Sequence, residues 1–217
     1  SRMKLITLAF LTFPGTSPAQ EVTFHDRHFQ VAAGYTLEVA VPPTLVERPI
    51  EADFDAKGRL FVTESSGSNA PAAEQLKQKP HRLYRLQDTN GDGVYDEKTL
   101  FADELMFPEG VLCYGGSVYV AAPPQIWKFT DADDDGVADV REVVAHGFGL
   151  HIAYAGHDMH GLAIGPDGKL YYSIGDRGAH VVVRAGNRRN LTFTGLGITE
   201  ELLSPNLSGP LELLIST

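Results

Sequence analysis

Apolar and polar residues alternate along most of this chain with a period of two, in runs too short for helices. Residues 36–41, 60–63, 82–86, 117–121 and 126–129 read as strands, and 111–120 continues an apolar strand pattern. Further on, Leu162 and Ile164 are followed by a turn and then by Leu170, Tyr172 and Ile174, which predicts a hairpin. Residues 71–78 alone suggest a short helix. Turn residues separate the runs: Ala56, Lys57 and Gly58; Gly115 and Gly116; Pro123 and Pro124; Pro166, Asp167 and Gly168. Many short strands at regular spacing predict an all-β barrel, sandwich or propeller.

An internal repeat selects among these. "RLYRLQDTNGDGVYDEKTLFA" (82–102) is echoed by "QIWKFTDADDDGVADVREVVA" (125–145), with Asp88 and Asp131 in equivalent places 43 residues apart. "DAKGRLFVTES" (55–65), "YGGSVYVAAPP" (114–124) and "GPDGKLYYSIG" (165–175) form a second repeat, each a glycine turn followed by a strand carrying an aromatic residue. Repeats of about 40–50 residues with several strands each mark β-propeller blades. The three copies of the second repeat are expected to be equivalent strands of successive blades.

Net charge and termini narrow the setting. A formal charge of -10 leaves no basic face for nucleic acid, and Arg188 and Arg189 read as a solvated turn. Met3 and Lys4, the apolar run 5–13 and the small residues up to Ala19 have the layout of a secretory signal. The run is too short to span a bilayer as a helix. The expected organisation is a signal peptide at 1–19, propeller blades over 20–189, and an atypical tail over 190–217 that lacks an Asp-Gly turn and is disordered or not blade sequence. Beyond residue 19 the chain offers about four blades' worth of sequence, at about 45 residues per blade, and is therefore expected to form a partial propeller. Localisation is expected to be periplasmic or secreted. The single Cys113 cannot form an intramolecular disulfide and reads as a buried small hydrophobe.

Two aspartate loops carry the most concentrated chemistry. "DTNGDGVYDEKT" (88–99) and "DADDDGVADVRE" (131–142) place oxygen donors at alternating positions with glycine at the sixth. That spacing suits a hard cation such as calcium. The second loop offers Asp131, Asp133, Asp135, Asp139 and, at position twelve, Glu142; the first offers Asp88, Asn90, Asp92 and Asp96 but has Thr99 at position twelve, so weaker binding is expected there. Four acidic and one basic residue make the first loop -3; six acidic and one basic make the second -5, together -8 of the chain's -10. The alternative is a pair of hairpin tips without metal, since Asp-Gly is also a common turn dipeptide.

The segments "FDAKGRLFVTES", "DTNGDG", "DADDDG", "FPEGVLCYGGSVYVAAPPQIWKF" and "GHDMHGLAIGPDGKLYYSIGDRG" occur in an order that resembles the β-propeller of soluble aldose-sugar dehydrogenases using pyrroloquinoline quinone (PQQ). It resembles more closely the exported bacterial propellers described as membrane-bound dehydrogenases, often fused to a haem-c domain. The resemblance covers roughly residues 29–189. It implies that His157, eight residues before the glycine of the Gly-Pro-Asp turn, is the base that takes the proton from a sugar hydroxyl, with Asp158 or Asp176 orienting its ring. His160 stands where the family usually has another residue type. The family's cofactor-clamping Arg and Lys belong to later blades, so no PQQ-binding residue is assigned. The chain has no Cys-x-x-Cys-His, so a haem c would be a separate electron acceptor.

The residues also allow plainer readings. His151, His157 and His160 can be polar loop residues; as a metal set, His157, Asp158 and His160 match no common zinc spacing. Two functions follow. One is an exported quinoprotein-type oxidoreductase of a sugar or alcohol, or a truncated and inactive copy of one. The other is a non-enzymatic calcium-binding propeller that binds carbohydrate or protein.

Overall fold

The computed structural model describes residues 20–24, 26–148 and 159–174, together with the strands 179–182, 190–193 and 213–216. The chain divides into two compact units, Ser1–Ala40 and Val41–Thr217. In the first, β1 (Gln20–Phe24) and β2 (Arg27–Val31) form a two-stranded antiparallel hairpin. Phe24 and Phe29 meet edge to face across it, with ring centroids 6.2 Å apart.

The second unit is built of propeller blades. The first blade is a four-stranded antiparallel sheet in the order β3 (Pro49–Phe54), β4 (Leu60–Glu64), β5 (His81–Gln87), β6 (Glu97–Leu105), with helix α1 (Ala72–Gln78) between β4 and β5. The second repeats the order with β7 (Gly110–Tyr114), β8 (Ser117–Ala122), β9 (Gln125–Thr130) and β10 (Val140–His146). A third begins with the hairpin of β11 (Met159–Ile164) and β12 (Leu170–Ile174). The first strands β3, β7 and β11 lie next to one another and form the inner edge. Strands β13 (Ala179–Val182) and β14 (Asn190–Phe193) form a hairpin; β15 (Leu213–Ser216) pairs with β12 in parallel, unlike the antiparallel third strands β5 and β9.

The repeats read from the sequence thus fall on equivalent hairpins, β3–β4, β7–β8 and β11–β12, as a partial β-propeller requires. Packing explains why the strands are apolar on both faces. Phe61, Leu83 and Phe101 of the first blade meet Val111, Val120 and Phe129 of the second. Phe61 and Phe101 meet edge to face at 4.9 Å. The opposite face of the second blade, with Tyr119, Ala121 and Ile126, packs on Met159, Leu162, Leu170 and Tyr172. On the first blade's other face, Leu60, Val62, Tyr84 and Leu86 are covered by Val46 and Tyr95. Each fully buried aliphatic or aromatic side chain here contributes about 1.5–3 kcal/mol.

One expected strand is absent. Residues 36–41 pair with no strand among the described residues, and Leu37 and Val39 are exposed. Alternation makes a segment able to join a sheet; it becomes a strand only where an edge accepts its backbone hydrogen bonds. The predicted helix at 71–78 is present as α1, and it is held by buried polar contacts. The Gln75 amide nitrogen donates to the carbonyls of Ser68 (3.1 Å) and Ala70 (3.0 Å), so its oxygen is left to accept from His81 Nε2 (3.2 Å). The other His81 nitrogen, Nδ1, accepts the Ser66 N–H at 3.1 Å. The ring is therefore neutral with its proton on Nε2.

Burial lowers the His81 pKa from 6.5 to about 4. As pH falls, the unfolded chain takes up this proton before the folded one. The contribution is complete above pH 6.5 and declines by up to about 1.4 kcal/mol per pH unit towards pH 4. Urea unfolding at neutral pH and near pH 4.5 should show this loss, and His81→Asn should flatten the slope between them.

Candidate functional site

Each aspartate loop joins the third and fourth strands of a blade: 88–96 between β5 and β6, and 131–139 between β9 and β10. The two share a backbone design. The first carboxylate of each accepts the N–H of the sixth residue: Asp88 Oδ2 from Gly93 at 2.8 Å, Asp131 Oδ2 from Gly136 at 2.9 Å. The fifth accepts from the seventh: Asp92 from Val94 and Asp135 from Val137, both at 2.8 Å. The ninth accepts from the second: Asp96 from Thr89 at 2.9 Å and Asp139 from Ala132 at 2.6 Å. In the third place, Asn90 accepts from Asp92 (2.9 Å) and Asp133 from Asp135 (3.3 Å). The sixth residue has φ of 90° at Gly93 and 97° at Gly136, a conformation that a side chain would strain.

In the second loop these bonds draw Asp131, Asp133 and Asp139 together, with one carboxylate oxygen of each within 4.8 Å of the others. Hard oxygen donors at that spacing fit calcium, whose remaining positions backbone carbonyls and water can fill. Asp135 is not one of the three; its Oδ1 holds the Val137 N–H. Glu142 is not drawn in either. It lies on β10 and pairs with Lys128 of β9 at 3.2 Å. A helix after the loop would turn position twelve back towards the ion; here a strand follows and carries it away. The ninth residue, Asp139, closes the loop instead, and Asp96 occupies the same place in the first loop.

Sequence reasoning missed the cations around the second loop. Asp134 accepts from Lys57 Nζ at 2.5 Å and Arg59 Nη1 at 2.6 Å, both from the β3–β4 turn of the neighbouring blade. These two partners hold the Asp134 carboxyl down to about 2. Arg85, buried on β5, sets Nη1 3.5 Å from Asp131 Oδ2 and donates from Nη2 to the Asp135 carbonyl at 3.3 Å. A Cβ on Gly136 would come within 2.2 Å of that nitrogen, so glycine also makes room for the guanidinium. Arg85 could have been suspected: it interrupts the otherwise apolar strand "LYRL". Lys57, Arg59, Arg85, Gln87, Asp88 and Asp134 line a polar cavity of about 490 Å³ between the blades.

His157, the predicted base, lies outside the described residues, as do His151, Asp158 and Asp176. His160 is described. It is the second residue of β11, with Nε2 3.7 Å from Glu109 Oε2.

None of the curated proteins matches this sequence. Among solved structures, it is similar to a provisionally assigned gluconolactonase, at 16% identity and a TM-score of 0.37. The likeness covers 67% of this chain and 48% of that one, so the chain spans about half the length of that protein. A family model matches residues 23–200, most of the chain, and on that match the protein belongs to the DUF7133 family, a domain of unknown function.

Proposed function

We infer that this chain is a calcium-binding β-propeller module. The observation that carries the reading is the convergence of Asp131, Asp133 and Asp139 within 4.8 Å on a loop whose backbone orients all three. The ion would offset a loop of net charge -5 and stiffen the connection between β9 and β10. Arg85 and the pair Lys57 and Arg59 already tie this loop to the first blade, so a stiffer loop also firms the contact between blades. Asp88, Asn90, Asp92 and Asp96 would bind a second ion more weakly. The expected setting is exported, either periplasmic or secreted, with carbohydrate or protein as the ligand.

The oxidoreductase reading has one specific support: His157 stands two residues before β11, the inner strand of the third blade. When bound, PQQ would supply the two-electron acceptor for oxidation of a sugar or alcohol hydroxyl, and a haem c would take the electrons onward. The described residues at the inner-strand ends do not suit this cofactor. Glu51 and Glu109 would repel its three carboxylates. Any cradle for it must come from other residues, and His157 would contribute only the base.

Calcium should raise the melting temperature; at about a hundred times its Kd the gain is about 2.7 kcal/mol. Asp133→Ala should abolish most of the response, whereas Glu142→Ala should leave it intact. No shift at millimolar calcium would reduce both loops to turns. In calcium-free buffer, Asp131→Asn should cost about 3 kcal/mol in urea unfolding, because it leaves the buried Arg85 guanidinium uncompensated. Asp134→Asn should cost much less, since its pairs are half open to water.

A further inference from the structure

The three inner strands bring a second group of titratable side chains together, away from the aspartate loops. Glu51 is the third residue of β3, Glu109 immediately precedes β7, and His160 is the second residue of β11. Two backbone features build this corner. A bulge in β11 falls between His160 and Leu162, with Gly161 at φ 55°. In a regular strand His160 and Leu162 would share a face. The bulge lets Met159 and Leu162 both point into the core and turns the imidazole out of it. Gly110 then lets β7 and β11 approach. A Cβ there would stand 2.9 Å from the Ala121 Cβ and 3.3 Å from the Gly161 backbone, and Gly161 donates its N–H to the Glu109 carbonyl at 3.1 Å.

The result is an accessible imidazole backed by a sheltered carboxylate. The His160 side chain is 46% exposed and that of Glu109 is 16% exposed, with Nε2 and Oε2 3.7 Å apart. Glu51 completes the group. Burial raises its pKa; His160 is close enough to oppose that shift and Asp53 to add to it. Asp53 itself is engaged, accepting the Cys113 N–H at 2.7 Å.

We propose that His160, positioned by Glu109 and close to Glu51, forms a hydroxyl-binding site at this end of the inner strands for a small neutral polyol or sugar. Two carboxylates beside one imidazole, Glu109 and Glu51, repel phosphates and carboxylates, which disfavours anionic ligands. The group is also no ready-made cation cage: among the described residues, only Asp131, Asp133 and Asp139 bring three such ligand atoms within 4.8 Å. What remains is a ligand larger than an ion that both donates and accepts hydrogen bonds. Its hydroxyls donate to the carboxylate oxygens of Glu109 and Glu51 and exchange hydrogen bonds with the imidazole, which carries both a donor and an acceptor nitrogen when neutral. The site rests on the carbohydrate-binding part of the function inferred above but requires neither calcium nor PQQ, so a failed calcium response leaves it standing.

The test is chemical footprinting of the full chain with diethyl pyrocarbonate, read at the His160 peptide by mass spectrometry. D-Glucose, D-sorbitol and glycerol are the neutral probes; D-gluconate and zinc chloride are the comparators. At about ten times its Kd, at least one neutral probe should slow His160 modification about tenfold by mass action, while D-gluconate should not. Glu109→Gln and Glu51→Gln, each checked for an unchanged melting profile, should weaken that protection. Saturation-transfer NMR on the unmodified chain reads the same contact if either variant fails to fold: probe signals should be saturated, and excess diethyl pyrocarbonate should abolish this. The proposal is overturned if no neutral probe protects His160, if D-gluconate or zinc alone protects it as well, or if both folded variants keep full protection.

Discussion

A sheet that is apolar on both faces cannot stand alone, and the rest of this structure follows from that constraint. In β8 all six residues, Ser117 to Ala122, are buried, which is possible only for a strand sandwiched between neighbouring sheets. The Val120 side is closed by Phe61 and Phe101 of the first blade, and the Ala121 side by Met159 and Leu162 of the third. Burial falls off outwards, and β10 exposes Val140, Val143 and Val144. Stacking therefore fixes the inner and middle strands most firmly. It is on the ends of these strands that the charged groups are presented.

Charge takes over where apolar packing ends. The loop 131–139 projects beyond the sheet, and its acidic residues would repel one another without cations. The first blade supplies three. Lys57 and Arg59 meet Asp134 in partly open surroundings, where the pairs are worth little individually. Arg85 meets Asp131 in near-complete burial, where losing either partner is costly. A guanidinium and a metal ion at the same carboxylate make opposing demands. Asp131 Oδ2 lies toward Arg85 and also accepts the Gly136 N–H, so a bound cation must draw chiefly on other oxygens of the loop. The loop most acidic by sequence is thus the one already partly neutralised by its neighbour.

How much of this was legible in the chain depended on whether the relevant physics was local. The strands at 60–63, 82–86, 117–121 and 126–129 carry their own alternation, and each appears within β4, β5, β8 and β9. The repeat placed the hairpins because equivalent turns recur at equivalent spacing. Residues 36–41 misled because pairing needs a partner edge, which no local pattern encodes. Glu142 misled for a related reason. Position twelve is a ligand position only when the following segment turns back, and here β10 leads away. Arg85 and Asp131 are far apart in sequence and meet only once two blades stack.

His160 shows the same limit at finer scale. By spacing alone it belongs with Leu162 on the core face. One inserted residue, Gly161, reverses that assignment, and the bulge is visible only in the pairing of β11 with β12. The close approach permitted by Gly110 then carries the imidazole to Glu109, a residue of the preceding connection. β3 separates the two chemistries of the molecule: Glu51 stands near its start, while Lys57 and Arg59 follow its end. A propeller strand runs from one end of the fold to the other, so the hard-oxygen loops and the imidazole–carboxylate group occupy opposite ends. The close-packed cores between neighbouring blades lie between these two groups and hold both in place.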